Sequence, residues 1–218
     1  LSGGDLYLLP FTRCYVLECG ERRARQSLVR SYTVRRKATG GASRNFQIFE
    51  AFDFLAELDE VDETRIGVQG GSQGGALTLL VASLRPDQVT CGSAGAPYLC
   101  SMMDSAALTH SYPYEEINDY LRIHPEQEST VRETLDLHDI HNFVDRIRCP
   151  MIVNVGMRDD VVPPETGFAV FDQIGSTDKK FYNYEDCGHD AGTGDGHNAI
   201  MDAFMESHLS PIAVGGTA

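Results

Sequence analysis

The stretch Arg65 to Leu84, RIGVQGGSQGGALTLLVASL, constrains the fold of this chain more tightly than any other. Ile66, Gly67 and Val68 form a short apolar run. Glycines then crowd around one serine, and an Ala- and Leu-rich helical pattern follows. That order reads as strand, sharp turn, helix. The turn, Gly70-Gly71-Ser72-Gln73-Gly74, matches G-x-S-x-G, in which a nucleophile sits on a strained strand-to-helix turn. Glycines at 70 and 74 remove side chains that would clash where strand and helix crowd together. The serine hydroxyl would project into an open site, with the helix N-terminus behind it favouring developing negative charge. Two other readings stay open at this point. One is a Gly-rich turn without chemistry, in a chain holding 21 glycines. The other is a phosphate loop, although no Gly-Lys-Ser/Thr follows and the spacing is not G-x-G-x-x-G. A catalytic serine needs an acid and then a histidine further along the chain.

The length of 218 residues allows one sizeable core, so a single domain over 1–218 is expected. A formal net charge of −14 argues against nucleic acid as a partner, because polyanions would be repelled. No apolar run approaches the length of a membrane span. Six cysteines (Cys14, Cys19, Cys91, Cys100, Cys149 and Cys187) are scattered without a C-x-x-C pair. They read as buried free thiols, which points to a reducing, cytoplasmic compartment. The first residue is Leu, so any leader would be invisible here.

Along the chain, Leu1 to Asp5 reads as a loop, Leu6 to Phe11 as a short helix and Tyr15 to Leu17 as a buried strand. Arg22 to Lys37, rich in Arg and Lys, reads as an exposed irregular segment, with a basic patch as the functional alternative. Thr39 to Ser43 is a turn. Asn45 to Leu58 carries Phe46, Phe49, Leu55 and Leu58, with Ala51 and Phe52 between them, as one apolar helical face. Beyond the elbow, strands are expected at Val89 to Gly95, Met151 to Val155 and Lys180 to Tyr184. Helices are expected at Glu165 to Ile174 and His197 to Leu209, and across Ala106 to Ile140 with breaks at Pro113 and Pro125. Strands alternating with helices imply an α/β fold, a mostly parallel sheet covered on both faces.

Three residue positions each follow an expected strand. Ser72 follows 65–69, Asp159 and Asp160 follow 151–155, and His189 follows 180–184. In open α/β sheets the active site lies outside the carboxyl ends of the strands. The order Ser, Asp, His is the one α/β-hydrolases use. Ser72 would attack an acyl carbon, His189 would move the proton, and an aspartate would orient the imidazole. The backbone N–H of Gln73 would supply half of an oxyanion hole. His189 lies in Cys187-Gly188-His189-Asp190-Ala191-Gly192, a loop too small-sided to bury it as core. His138 and His141 have no third ligand for zinc and read as surface or packing residues.

The stretch Gly67-Val68-Gln69-Gly70-Gly71-Ser72-Gln73-Gly74-Gly75 closely resembles the elbow of the acetyl xylan esterase and cephalosporin-C deacetylase family of α/β-hydrolases. The likeness extends to Pro97-Tyr98-Leu99-Cys100, Tyr112-Pro113-Tyr114-Glu115-Glu116-Ile117, Asp119-Tyr120-Leu121-Arg122, Asn142-Phe143, Arg146-Ile147, Cys149-Pro150 and Val155-Gly156-Met157-Arg158-Asp159 with Pro163-Pro164. It covers about residues 45–209. The resemblance selects Asp159 over Asp160 as the catalytic acid and matches Gly188-His189 to the family's histidine loop. It implies deacetylation of small acetylated carbohydrates, a substrate pocket at Pro97 and Tyr98, no metal or organic cofactor, and homo-oligomeric rings. In the family, a tyrosine N–H from a His-Gly-Tyr loop after the third strand completes the oxyanion hole. Leu1 to Asp5 looks like the stretch just after that loop, so this tyrosine and the first three strands are expected upstream. With the fourth and fifth strands at Tyr15–Leu17 and Arg65–Gln69, the missing third strand would leave a gap between them, unless the N-terminal part rearranges. Residues 20–44 do not resemble the family's corresponding loop, which is longer.

Overall fold

The computed structural model describes residues 14–19, 29–33, 49, 52–53, 56–57 and 61–210. Six strands form one sheet: β1 (Cys14–Cys19), β2 (Val29–Thr33), β3 (Ile66–Gly71), β4 (Val89–Gly95), β5 (Met151–Gly156) and β6 (Lys179–Tyr184), in the order β2-β1-β3-β4-β5-β6. β3 to β6 are parallel, and β1 pairs antiparallel with both β2 and β3. The expected loop at Leu1–Asp5, helix at Leu6–Phe11 and turn at Thr39–Ser43 lie outside the described residues, as do the side chains of Cys14 and Cys19.

One expectation needs correction, and of the two alternatives for the sheet beside β3 the rearranged one is seen. The segment Arg22 to Lys37 is not wholly irregular, because Val29–Thr33 is a strand registered against β1, with Ser31 opposite Leu17. Nor is there a gap beside the elbow strand. β1 lies directly against β3, with Val16 opposite Val68, and fills the position reserved for a missing strand. The physical reason is the same in both cases. Backbone N–H and C=O groups of a strand inside a sheet must be paired, and an open edge beside the buried start of β3 is costly.

Helix α1 (Gln73–Leu84) follows β3 at once and is buried from Gly74 to Ser83. A helix apolar all round belongs inside a core, and α1 sits against Ile66, Val68 and Ala94 of the sheet and Ile140 and Val144 of the 3-10 helix Ile140–Arg146. Phe52 is buried in the same cluster, with Phe49 and Ala56 packed on it. All three are helical, as the apolar pattern of 45–58 requires. Between α1 and β5 the chain makes three short helices, α2 (Met102–Leu108), α3 (Glu115–Ile123) and α4 (Glu128–Asp136), broken near Pro113 and Pro125. α5 (Pro164–Gln173) joins the α1 side, where Val170 enters the core. α6 (His197–Leu209) covers the opposite face, and its Met205 and Leu209 pack on Cys91. Alternation along β3 divides the faces. Ile66 and Val68 point to α1, whereas a side chain at Gly67 would meet Met205 and Leu209. Cys91, Cys100, Cys149 and Cys187 are buried free thiols. Among the described residues no helix is long and apolar enough to cross a membrane.

Leu79 is fully buried in the α1 core. Truncating it to Ala is expected to cost about 2–5 kcal/mol. A fall in the urea midpoint at constant m-value measures this, and an unchanged midpoint refutes the placement of α1.

Candidate active site

The carboxyl ends of β3, β5 and β6 bring the expected residues to one end of the sheet. Ser72 is the hinge between β3 and α1, with φ 56° and ψ −121°. Its own N–H is bonded to Gly95 O at 2.8 Å, and its carbonyl accepts the N–H groups of Ala76 and Tyr98 at 3.0 and 3.1 Å. The backbone is thus held in a conformation that a non-glycine residue rarely adopts, and such strain clusters at functional sites. Gly70 is required for this turn, since a Cβ there would lie 2.5 Å from the backbone of Gly74. Ser72 occupies the N-cap position of α1, yet its side chain makes no capping bond. The hydroxyl instead faces a cavity of about 650 Å³, lined also by Gln73, Tyr98, Tyr112, Asn154, Val161, His189 and Asp190.

Asp159 follows β5 and its side chain is nearly inaccessible, at 1%. Burying a carboxylate is costly unless its oxygens are hydrogen-bonded. One oxygen accepts the N–H groups of Val161 and Val162, both at 2.9 Å, and the other accepts from His189 Nδ1 at 2.9 Å. An ionised carboxylate only accepts, so His189 carries its proton on Nδ1 and keeps the Nε2 lone pair. Asp160 is exposed, and its carbonyl accepts the Thr109 hydroxyl. The geometry therefore puts Asp159, not its neighbour, on the histidine. The Asp159 bond pushes the His189 pKa up from 6.5, against the opposing effect of burial.

The histidine loop reaches Asp159 because β5 ends in glycine. A Cβ at Gly156 would lie 2.0 Å from Gly188 O and 2.5 Å from Cys187 O. Arg158 N–H is bonded to Cys187 O and Met157 N–H to Tyr184 O, both at 2.9 Å, so the two loops run backbone against backbone. Within the same loop Cys187 donates to Asp195 at 2.9 Å, and that bond raises the thiol pKa to about 11. His189 and Ser72 line the same cavity without a hydrogen bond between them among the described residues. Catalytic hydrogen bonds of this kind are often long in unliganded structures.

Of the two expected pocket residues, Tyr98 lines the cavity and Pro97 does not. Pro97 is buried behind the elbow, its Cα 3.2 Å from where a Gly75 Cβ would stand. Burial raises the Tyr98 phenol to about 12, and its ring lies 4.8 Å from that of Tyr114. His141 bonds Ser101 at 2.6 Å and His138 is exposed. Among the described residues no group of three or more His, Cys, Asp or Glu side chains could hold a metal ion. Sequence reasoning missed Asn154. It is buried in β5, donates to Ala191 O at 2.6 Å and lies against Gly95. Its signal was a lone polar residue inside the apolar strand MIVNVG.

The acetyl xylan esterase family model matches residues 46–206. The chain belongs to the acetyl xylan esterase family. A relative, acetyl esterase Axe7A of Xylanibacter ruminicola, is 37% identical over 128 residues, covering 57% of this chain and 27% of that protein. The solved acetyl xylan esterase from Paenibacillus sp. R4 is 34% identical with a TM-score of 0.70, covering 76% of this chain and 52% of its own. Acetyl xylan esterase 1 from Thermoanaerobacterium sp. JW/SL YS485 is 32% identical with a TM-score of 0.68 and the same coverages. The chain thus spans about half the length of these two esterases. The acylaminoacyl peptidase of Pyrococcus horikoshii, at 15% identity and a TM-score of 0.57, shares the fold alone. The fold is that of the α/β-hydrolases.

Replacing Gly156 by Ala is expected to displace the Cys187–Gly188 backbone and break the His189–Asp159 bond. The downfield Nδ1 proton resonance of His189 should then be lost in a protein that remains folded. Its persistence would show that the two loops do not depend on this close approach.

Proposed function

We propose that the protein is a serine esterase that hydrolyses acetyl esters of small carbohydrates, such as acetylated xylo-oligosaccharides. The observation that carries this reading is the 2.9 Å bond from His189 to the buried Asp159, at the cavity that also holds the strained Ser72. Family membership supports the acetyl ester as substrate.

In this mechanism Ser72 Oγ attacks the acetyl carbonyl carbon as its proton passes to His189 Nε2. Asp159 stabilises the imidazolium that forms. The oxyanion is met by the backbone N–H of Gln73, whose position after the elbow serine at the start of α1 supports that role. Collapse breaks the ester C–O bond, and the departing sugar oxygen takes the proton from His189. Water then repeats the sequence on the acetyl-enzyme, releasing acetate and restoring Ser72. The same site on a ring of identical subunits is a further proposal from the family resemblance, and light scattering measures it.

Ser72→Ala is expected to abolish hydrolysis of an aryl acetate and of acetylated xylo-oligosaccharides while leaving the unfolding midpoint in place. Wild-type turnover in that variant would overturn the reading, and so would failure of a fluorophosphonate probe to label Ser72 in the folded protein.

His189 must be neutral to accept a proton, and its pKa lies above 6.5 because of Asp159. The acid limb of kcat/KM should therefore fall above that value, with activity lost as pH drops through it. Asp159→Asn removes the charge that raises the pKa. It should move the limb down while lowering kcat by roughly 10⁴. A limb unmoved in that variant would assign the titration to another group.

A further inference from the structure

The cavity is far larger than an acetyl group requires, so most of it faces the alcohol part of an ester. At about 650 Å³ it falls in the range of sites for small molecules. Among the described residues that line it, Asp190 is the one carboxylate and none is Lys or Arg. Beside Ser72, His189 and the two tyrosines, its polar lining is Gln73, Asn154, Thr193 and Asp190, which suits neutral hydroxyls rather than an anionic ligand.

Tyr112 is the outlier in this lining. It is 61% exposed, one of the most solvent-accessible large apolar side chains of the described residues. Tyr120, Ile123 and Leu137 are also exposed, but they do not line this cavity. The Tyr112 ring is not loose. Its hydroxyl donates to Asp119 at 2.6 Å, and Asp119 is itself paired with Arg122, which also pairs with Glu115. Asp119, Arg122 and Glu115 all stand on α3, outside the cavity lining. The hydroxyl is therefore anchored away from the cavity, and the ring beside it remains at the rim. An exposed aromatic ring fixed in orientation at a ligand site has lost side-chain freedom in advance of binding.

Resting on the esterase reading above, we infer that Tyr112 is a platform on which a pyranose ring of the substrate stacks while its acetyl group sits at Ser72. The negative face of an aromatic ring attracts the polarised C–H groups that line one face of a pyranose. The polar edge of the sugar is then left to Asp190 and Thr193. Tyr112 so determines which alcohol is accepted and takes no part in bond making.

The test has a binding arm and a kinetic arm. Unsubstituted xylotriose is titrated into the Ser72→Ala protein and followed by calorimetry and by saturation transfer from protein to sugar. The platform requires binding with sugar C–H protons receiving saturation, and it requires Tyr112→Ala to weaken that binding by about five- to tenfold. Tyr112→Phe keeps the ring face and should stay within about twofold of the parent in affinity. In the kinetic arm, the ratio of kcat/KM on acetylated xylo-oligosaccharides to that on 4-nitrophenyl acetate should fall by a similar factor in Tyr112→Ala, through KM on the sugar. Equal losses in Tyr112→Ala and Tyr112→Phe would overturn stacking and assign the effect to the bond with Asp119. No xylotriose binding, or affinity indifferent to Tyr112→Ala, would overturn the platform outright. These outcomes are separable from the esterase reading, which fails if Ser72 is dispensable for ester hydrolysis or is not labelled by a fluorophosphonate.

Discussion

The buried carboxylate of Asp159 is the constraint on which the rest of the site depends. An ion with 1% accessibility in a protein interior costs several kcal/mol unless donors surround it. Three N–H groups do so here: two from the turn that follows it and one from His189. The turn donors are local and come with the Val161–Val162 backbone. The third must be delivered from β6, and that fixes where the histidine loop runs. Gly156 is the local consequence, because the loop backbone lies where any side chain at the end of β5 would stand. A buried charge thus dictates a glycine three residues earlier and a loop thirty residues later.

The parallel half of the sheet does the spatial work. β3, β4, β5 and β6 all end at the same edge, so the elbow, the acid loop and the histidine loop meet without long connections. The antiparallel β1–β2 pair contributes differently. It supplies backbone partners to β3, whose other neighbour is β4. The elbow strand is therefore internal to the sheet, with Ile66 and Val68 buried.

Much of this was legible in the sequence because local patterns and global fold agree. Val89–Gly95 and His197–Leu209 have the bounds that their patterns indicated. The elbow was legible because only a few residue types fit its turn. What stayed hidden has specific causes. Val29–Thr33, VRSYT, alternates weakly and sits among arginines, so charge masked the strand. The neighbour of β1 is a matter of pairing between distant segments, which composition does not encode, and resemblance to a longer sheet suggested a gap there. Asp159 and Asp160 are chemically identical and adjacent. Only the direction of each side chain separates them, and sequence carries that direction through resemblance alone. Pro97 and Tyr98 show the same limit, since one backs onto the elbow and the other lines the cavity.

Ser72 and His189 are carried by strands that are not neighbours, so something must set their separation. Asn154 stands between them. Its side chain lies against Gly95, whose carbonyl holds the Ser72 N–H at 2.8 Å. Its amide holds Ala191 O at 2.6 Å, two residues past the histidine. Its own carbonyl holds Ala96 N–H at 2.7 Å, directly after β4. One buried amide thereby ties the strand end behind the serine to the loop that carries the histidine. An apolar residue of similar size would fill the space on Gly95 but leave the Ala191 carbonyl without this donor. The polar interruption in an otherwise apolar strand is thus explained by the site it spans.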